Sequence, residues 1–139
     1  ADPTFNVGAS VALADRLTES DLIVFPELSV SGYTCGELFG QACLLEAVLS
    51  GLDQLANANR DREQIWIVGL PLALQGRLFN VAAILFGGQV HGLVPKQYLP
   101  TYGEFYESRW YQAGSRLCPT HIDLPFQSQV PFGIDLLFQ

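Results

Sequence analysis

The sequence predicts an α/β domain built on a mixed sheet, and three observations carry that prediction. Short apolar runs of strand character recur at residues 22–25, 65–69, 78–86 and 89–95. A stretch with helical periodicity, residues 38–57, separates the first run from the second. The third and fourth runs flank Gly87-Gly88, a dipeptide that accepts positive φ at both positions of a tight turn. A sheet with one such hairpin cannot be purely parallel.

Taken in order, residues 9–18 ("ASVALADRLT") read as the end of an amphipathic helix, with Val11, Ala14 and Leu17 on one face beside Leu13. Leu22 to Phe25 is a short buried strand. "SVSGYTCGE" is loop, punctuated by Gly32 and Gly36. From Leu38 to about Asn57 the apolar positions Leu38, Ala42, Leu45, Leu49, Leu52 and Ala56 keep a spacing of three and four, which is a helix. "NANRDREQ" is a polar turn. "IWIVGLPL" is the next buried strand, ending at Gly69, and "LFNVAAILF" with "QVHGLVPK" forms the hairpin. From Tyr98 to Tyr111 aromatics, charges, Pro and Gly mix without a period. "SRLCPTHIDLPFQSQVPFGIDLLF" reads as loop with short extended pieces. Buried strands separated by an amphipathic helix mean a sheet covered by helices.

The 139 residues suffice for one domain, and 49% of them are hydrophobic, enough for a sizeable core. Net charge is −7, from 14 acidic and 7 scattered basic residues. That balance argues against nucleic acid and anionic membrane as partners. No apolar run approaches the roughly 20 residues of a membrane helix. Three cysteines, Cys35, Cys43 and Cys118, fit neither a disulfide framework nor a zinc site, and a reducing cytoplasm is the expected compartment. Two histidines do not make a metal centre, so no metal is expected. The chain opens at Ala1-Asp2-Pro3 with no methionine and no leader, which is read as a missing N-terminus.

Two charges stand out. Glu27 follows Pro26 at the C-terminal end of an apolar strand, the edge of an α/β sheet where sites collect. Lys96 follows Pro95 in the same way. A single charge at a strand end is more often a side chain simply reaching water. Together, and of opposite sign, they suggest a partly buried pair that sets the ionisation of both members. "TYGEFYESRW" comes next, with Tyr102, Glu104 and Arg109. It is either a surface loop or one wall of a polar pocket, with the arginine available to a carboxylate.

"FPELSVSGYTCGELF" and "VPKQYLPTYGEFYESRWYQAG" together resemble the nitrilase-like glutaminase (carbon–nitrogen hydrolase) domain of the glutamine-dependent NAD synthetases, over almost the whole chain. The "FPE" motif is a fair signal for the superfamily. The stretch after the lysine is more specific and points to this branch. The resemblance implies an α-β-β-α sandwich, here incomplete and truncated at both ends, with residues 1–139 a partial glutaminase domain and the synthetase domain absent. It implies a Glu-Lys-Cys mechanism that releases ammonia from glutamine. Glu27 matches the general base and Lys96 the lysine that stabilises the oxyanion. Glu104 falls where the superfamily has a second glutamate, and Tyr102 where the family has a tyrosine that contacts glutamine. Glu27 is therefore expected to face Lys96, with Glu104 approaching the same lysine, and a carboxylate oxygen of Glu27 or Glu104 to lie within about 4 Å of its ammonium.

No cysteine of the chain matches the nucleophile, which the resemblance places on a later strand; the 139 residues alone are expected to be inactive. ATP and magnesium belong to the absent synthetase domain, which amidates nicotinic acid adenine dinucleotide to NAD. The implied partners are glutamine, that synthetase domain and further copies of the chain in a homo-oligomer. A stand-alone carbon–nitrogen hydrolase and a non-catalytic binding module on the same scaffold remain the alternatives.

Overall fold

A computed structural model describes residues 1–116 and 118–139. Helix α1 spans Pro3–Ala14, strand β1 Leu22–Val24, helix α2 Ala42–Asn59, and strands β2, β3 and β4 span Ile65–Leu74, Arg77–Phe86 and Gln89–Pro95. A single turn, α3, covers Glu107–Trp110, and strands β5 (His121–Leu124) and β6 (Gln127–Pro131) close the order. A 3-10 turn, Gly36–Gly40, precedes α2.

The main sheet has the order β1-β2-β3-β4. Strands β1 and β2 run parallel, while β2–β3 and β3–β4 are antiparallel. The sheet is mixed, as the hairpin requires, and that hairpin turns on Gly87 (φ +57°) and Gly88 (φ +83°). In register, Ile23, Trp66, Leu85 and Val90 fall in one row, and all four are buried. Helix α2 covers that face with Leu44, Val48, Leu52, Leu55 and Ala56. The opposite face is open: Leu22 is 51%, Val24 64% and Ile65 40% exposed. The helices and the main sheet form one α-β half of the sandwich that the resemblance implies.

Several boundaries differ from expectation, for physical reasons. Helix α1, whose end the sequence places within residues 9–18, begins at Pro3, where Asp2 caps it by accepting from Phe5 N–H (3.0 Å) and Pro3 occupies the first turn. It stops at Ala14, so Leu17 lies outside it, and Leu13 points to solvent. Helix α2 starts at Ala42 rather than Leu38, because Gly36–Gly40 forms the tighter turn first. The buried stripe is rotated accordingly to Leu44, Val48, Gly51 and Leu55. Strand β2 runs past Gly69 to Leu74. Pro71 is tolerated within it because β1 pairs only as far as Ile67, so no neighbour there needs the missing N–H. Residues 121–131, expected as loop with extended pieces, form the β5–β6 hairpin. Gln127 ties it to the main sheet through Val90 N–H and C=O, both at 2.8 Å.

Gly69 is where the sheet touches the β1 end. A Cβ there would lie 2.4 Å from Leu28 N, 2.9 Å from Pro26 O and 3.0 Å from the Glu27 carbonyl carbon. All are backbone atoms, so nothing can swing away. We expect Gly69→Ala to destabilise by about 3 kcal/mol, the cost of overpacking a fixed site. Gly8, with open space around it in α1, should gain up to about 1 kcal/mol from the same change. Chemical unfolding of both variants checks this; a neutral Gly69→Ala would show that the Pro26–Leu28 turn is not pinned to β2.

Candidate active site

After β1 the chain stays on the sheet for one more rung, with Phe25 N–H donating to Ile67 C=O at 2.8 Å. Pro26 then ends the ladder and the backbone turns sharply. Ser29 N–H donates to Pro26 C=O (3.1 Å) and Gly32 N–H to Leu28 C=O (2.7 Å). Leu28 sits at φ +53°, costly for a leucine, and its burial at 1% exposure holds it there. Ser29 Oγ accepts from Gly69 N–H, and Val30 N–H donates to Gly69 C=O. The turn is thus fastened to β2, and Glu27 is carried at its tip.

Lys96 reaches the same place from β4. Its N–H donates to Asn80 C=O at 2.8 Å, adding a rung beyond Pro95. Its ammonium donates to Glu27 Oε1 at 2.8 Å and to Glu107 Oε1 at 3.0 Å, with Glu107 Oε2 at 2.9 Å. The lysine is therefore clasped between two carboxylates. The Glu107 side chain is nearly buried, 7% exposed, whereas Lys96 and Glu27 keep 29% and 41%. Tyr33 donates its phenol proton to Glu107 Oε1 at 2.9 Å. Asn80 donates from Nδ2 to Glu27 Oε1.

The electrostatics follow from this packing. Burial pulls the Lys96 ammonium down, but its hydrogen bonds and charge pairing with Glu27 and Glu107 outweigh that and hold it above the usual lysine value. It is a fixed cation at neutral pH, suited to stabilising negative charge and not to accepting a proton. Burial raises the Tyr33 phenol, and its hydrogen bond to Glu107 adds to this. Tyr111, which unlike Tyr33 is buried, is pushed strongly up by desolvation and then by its acidic neighbours. Both stay protonated; among the described residues Tyr111 Oη has no hydrogen-bond partner, and its ring packs edge-on to Phe39 at 5.3 Å.

Two cavities flank the clasp. One, of about 340 Å³, lies on the open sheet face and is lined by Glu27, Asn80 and Lys96 with Ile67, Ala82 and Val94. The other, of about 230 Å³, lies behind Glu107 and includes Tyr33, Glu104, Tyr106 and Tyr111.

The expected Glu27–Lys96 pair is thus present, and the expected Glu104–Lys96 pair is not. Gly103, at φ +61°, turns the chain outward, leaving Glu104 exposed, and among the described residues no ion pair joins it to Lys96. The second carboxylate is Glu107, at the start of α3, whose N–H is tied to Pro100 C=O (3.2 Å). Tyr102 is also displaced: it is 73% exposed, its ring packs edge-on to Phe105, and it lines neither of these cavities. Arg109 pairs with Glu37 at 2.8 Å on the surface and does not face the clasp. Cys35 is buried, and its thiol hydrogen-bonds the Ser31 and Gly32 carbonyls; Cys43 is exposed and Cys118 half-buried. Asn80 and Tyr33 escaped the sequence reading. Asn80 had a signal, as the single amide within an otherwise apolar run "LFNVAAILF".

No family model matches the chain. Among curated proteins it is similar to glutamine-dependent NAD(+) synthetases. The one from Mycobacterium leprae is 38% identical over 140 residues, covering 99% of this chain and 20% of the relative. That from Mycobacterium bovis is 40% identical over the same span and shares. The Aquifex aeolicus protein is 36% identical over 96 residues, 69% of this chain and 17% of its own. The chain spans about a fifth of the length of the first two relatives. Among solved structures, the glutamine-dependent NAD(+) synthetase of Cytophaga hutchinsonii superposes with a TM-score of 0.83 at 28% identity, over 96% of this chain and 23% of that one. The Acinetobacter baumannii enzyme does so at 0.76 and 30%, over 83% and 22%. A Nesterenkonia amidase from the nitrilase superfamily follows at 0.65 and 26%, over 83% and 44%. Sequence and fold agree along nearly the whole length, and the chain belongs to the nitrilase-like glutaminase domains of the glutamine-dependent NAD synthetases.

Proposed function

We propose that this chain supplies the base and the oxyanion-stabilising lysine of a glutamine-hydrolysing site, whose ammonia serves the ATP-dependent amidation of nicotinic acid adenine dinucleotide to NAD. The observation that carries this is the Lys96 ammonium, held between Glu27 and Glu107 at the mouth of a cavity. Glu27 is the general base. It takes the proton of a thiol, and the sulfur electron pair forms the bond to the carboxamide carbon. Lys96 faces the oxygen that becomes negative as that carbon turns tetrahedral. Collapse expels ammonia, with Glu27 returning the proton, and water then cleaves the thioester to glutamate. Glu107 and Tyr33 hold Lys96 in place.

In this reading the thiol comes from a later strand, where the resemblance assigns the nucleophile; Cys35, bonded to backbone carbonyls, is already engaged. ATP and magnesium are assigned to the synthetase part of the longer relatives. Among the described residues no three His, Cys, Asp or Glu side chains group as metal ligands. Among the described residues no helix is long and apolar enough to cross a membrane. The three free thiols favour a reducing compartment, the cytoplasm, as the site of action.

The test uses the full-length protein with ATP, magnesium and nicotinic acid adenine dinucleotide. Glutamine and free ammonia should each support NAD formation, with one glutamate released per glutamine consumed. Glutamate release without NAD formation from either donor would favour a stand-alone amidase of the superfamily. No glutamate release would refute the reading.

A further inference from the structure

We infer that Asn80 is a positioning residue for Glu27, selecting which of its two carboxylate oxygens takes the proton; the inference rests on the reaction proposed above. Asn80 is 4% exposed in the middle of the sheet, on a strand paired on both sides. A buried amide without partners is destabilising by about 1–3 kcal/mol, so an asparagine in this apolar strand calls for a partner. Its partner is Glu27 Oε1, and only the amide nitrogen can donate to a carboxylate, so the orientation of the amide is fixed.

Lys96 donates to that same oxygen, at 2.8 Å. Oε1 thus carries two donors, one of them charged, whereas Oε2 has no hydrogen-bond partner among the described residues. The free lone pairs of the base are on Oε2. In the proton-transfer step the thiol S–H bond breaks, the proton goes to Oε2, and the electron pair stays on sulfur for attack.

Asn80 also ties the two charged residues to each other. Its own C=O accepts the Lys96 backbone N–H, so one rung of β3 sets the height of the lysine while its side chain sets the rotation of the glutamate. The position on the ladder is specified by Pro71 opposite Asn80 on one side and Val81 opposite Pro95 on the other. Being neutral and unable to accept a proton from a thiol, an asparagine holds the base without competing with it. An aspartate in the same place would offer no donor.

The experiment uses the full-length protein with Asn80→Leu, which keeps the volume and removes the donor. Asn80→Ser, smaller and polar, serves if the leucine variant does not fold. For glutamine hydrolysis kcat should fall about 10- to 100-fold, as for loss of a hydrogen bond to a charged group, with KM within about twofold. NAD formation from free ammonia should be unchanged. A crystal structure of the variant should show the Glu27 carboxylate rotated away from its bond to Lys96 through Oε1 alone. A kcat within about threefold of wild type, or an unmoved carboxylate, overturns the inference. If the wild-type protein releases no glutamate, the functional reading fails, and the carboxylate position in the variant crystal still decides whether Asn80 holds Glu27.

Discussion

Lys96→Met in the full-length protein should lower glutamine hydrolysis about a thousandfold and destabilise this part of the fold by about 3 kcal/mol. The methionine keeps most of the aliphatic stem, so the loss is of charge and not of packing. The rate effect follows from removing the donor that faces the developing oxyanion. The stability effect follows from what remains. Glu107 is 7% exposed and would lose its cation, with Glu27 close by, since both carboxylates lie within 3.0 Å of the one ammonium. Stranding a buried charge costs about 3–5 kcal/mol; the lower figure applies because Lys96 and Glu27 keep contact with water. Lys96→Arg should recover most of the stability but little of the rate, because a planar fork cannot occupy the place of a point charge between two carboxylates. Full activity in Lys96→Met would remove the lysine from the mechanism.

The same pair of proteins gives a pH test. The folded Lys96 value lies above the unfolded one, near 10.5. Its contribution is therefore fully present below that value and is lost as pH rises through the folded value. The stability gap between wild type and Lys96→Met should be flat on the alkaline side from about pH 7 to 9, and should narrow only above 10.5.

Much of this arrangement was legible in the sequence because it is local. Proline followed by a charge, at the ends of two apolar strands, marked Glu27 and Lys96, and Gly87-Gly88 marked the turn that makes β3 and β4 neighbours. Other features depend on long-range contacts that periodicity does not encode. Asn80 looks like an interruption of β3 until the register sets it under Glu27. The β5–β6 hairpin has short strands of mixed polarity, and Gln129 at φ +57° breaks their alternation; it is held by Gln127 bonding to Val90, 37 residues away. The α2 stripe shifted because a glycine-bounded 3-10 turn used the residues assigned to its first turn. Glu104 and Glu107 are three residues apart in "EFYE", and resemblance alone chose the first. The second lies three residues before Trp110 and four before the buried Tyr111, which anchor its turn in the core.

That choice between two glutamates has a sharp consequence. Glu107→Gln should lower glutamine hydrolysis about 10- to 150-fold, whereas Glu104→Gln should leave it within about threefold. Glutamine keeps the shape at position 107 and still accepts from Tyr33 and Lys96, so the fold should survive. What it removes is the second negative charge on the ammonium. Lys96 would then be drawn to Glu27 alone, and the lysine would sit closer to the base and farther from the oxygen it must stabilise. An interaction with a charged group contributes about 1.5–3 kcal/mol, which is a factor of about 10–150 in rate. Glu104 is exposed and forms no ion pair with Lys96, so its charge is largely screened by solvent. Steady-state kinetics on the two variants, with ammonia-dependent NAD formation as the check on folding, decide the matter. A large loss in Glu104→Gln with a small one in Glu107→Gln would restore the first glutamate as the partner of the lysine.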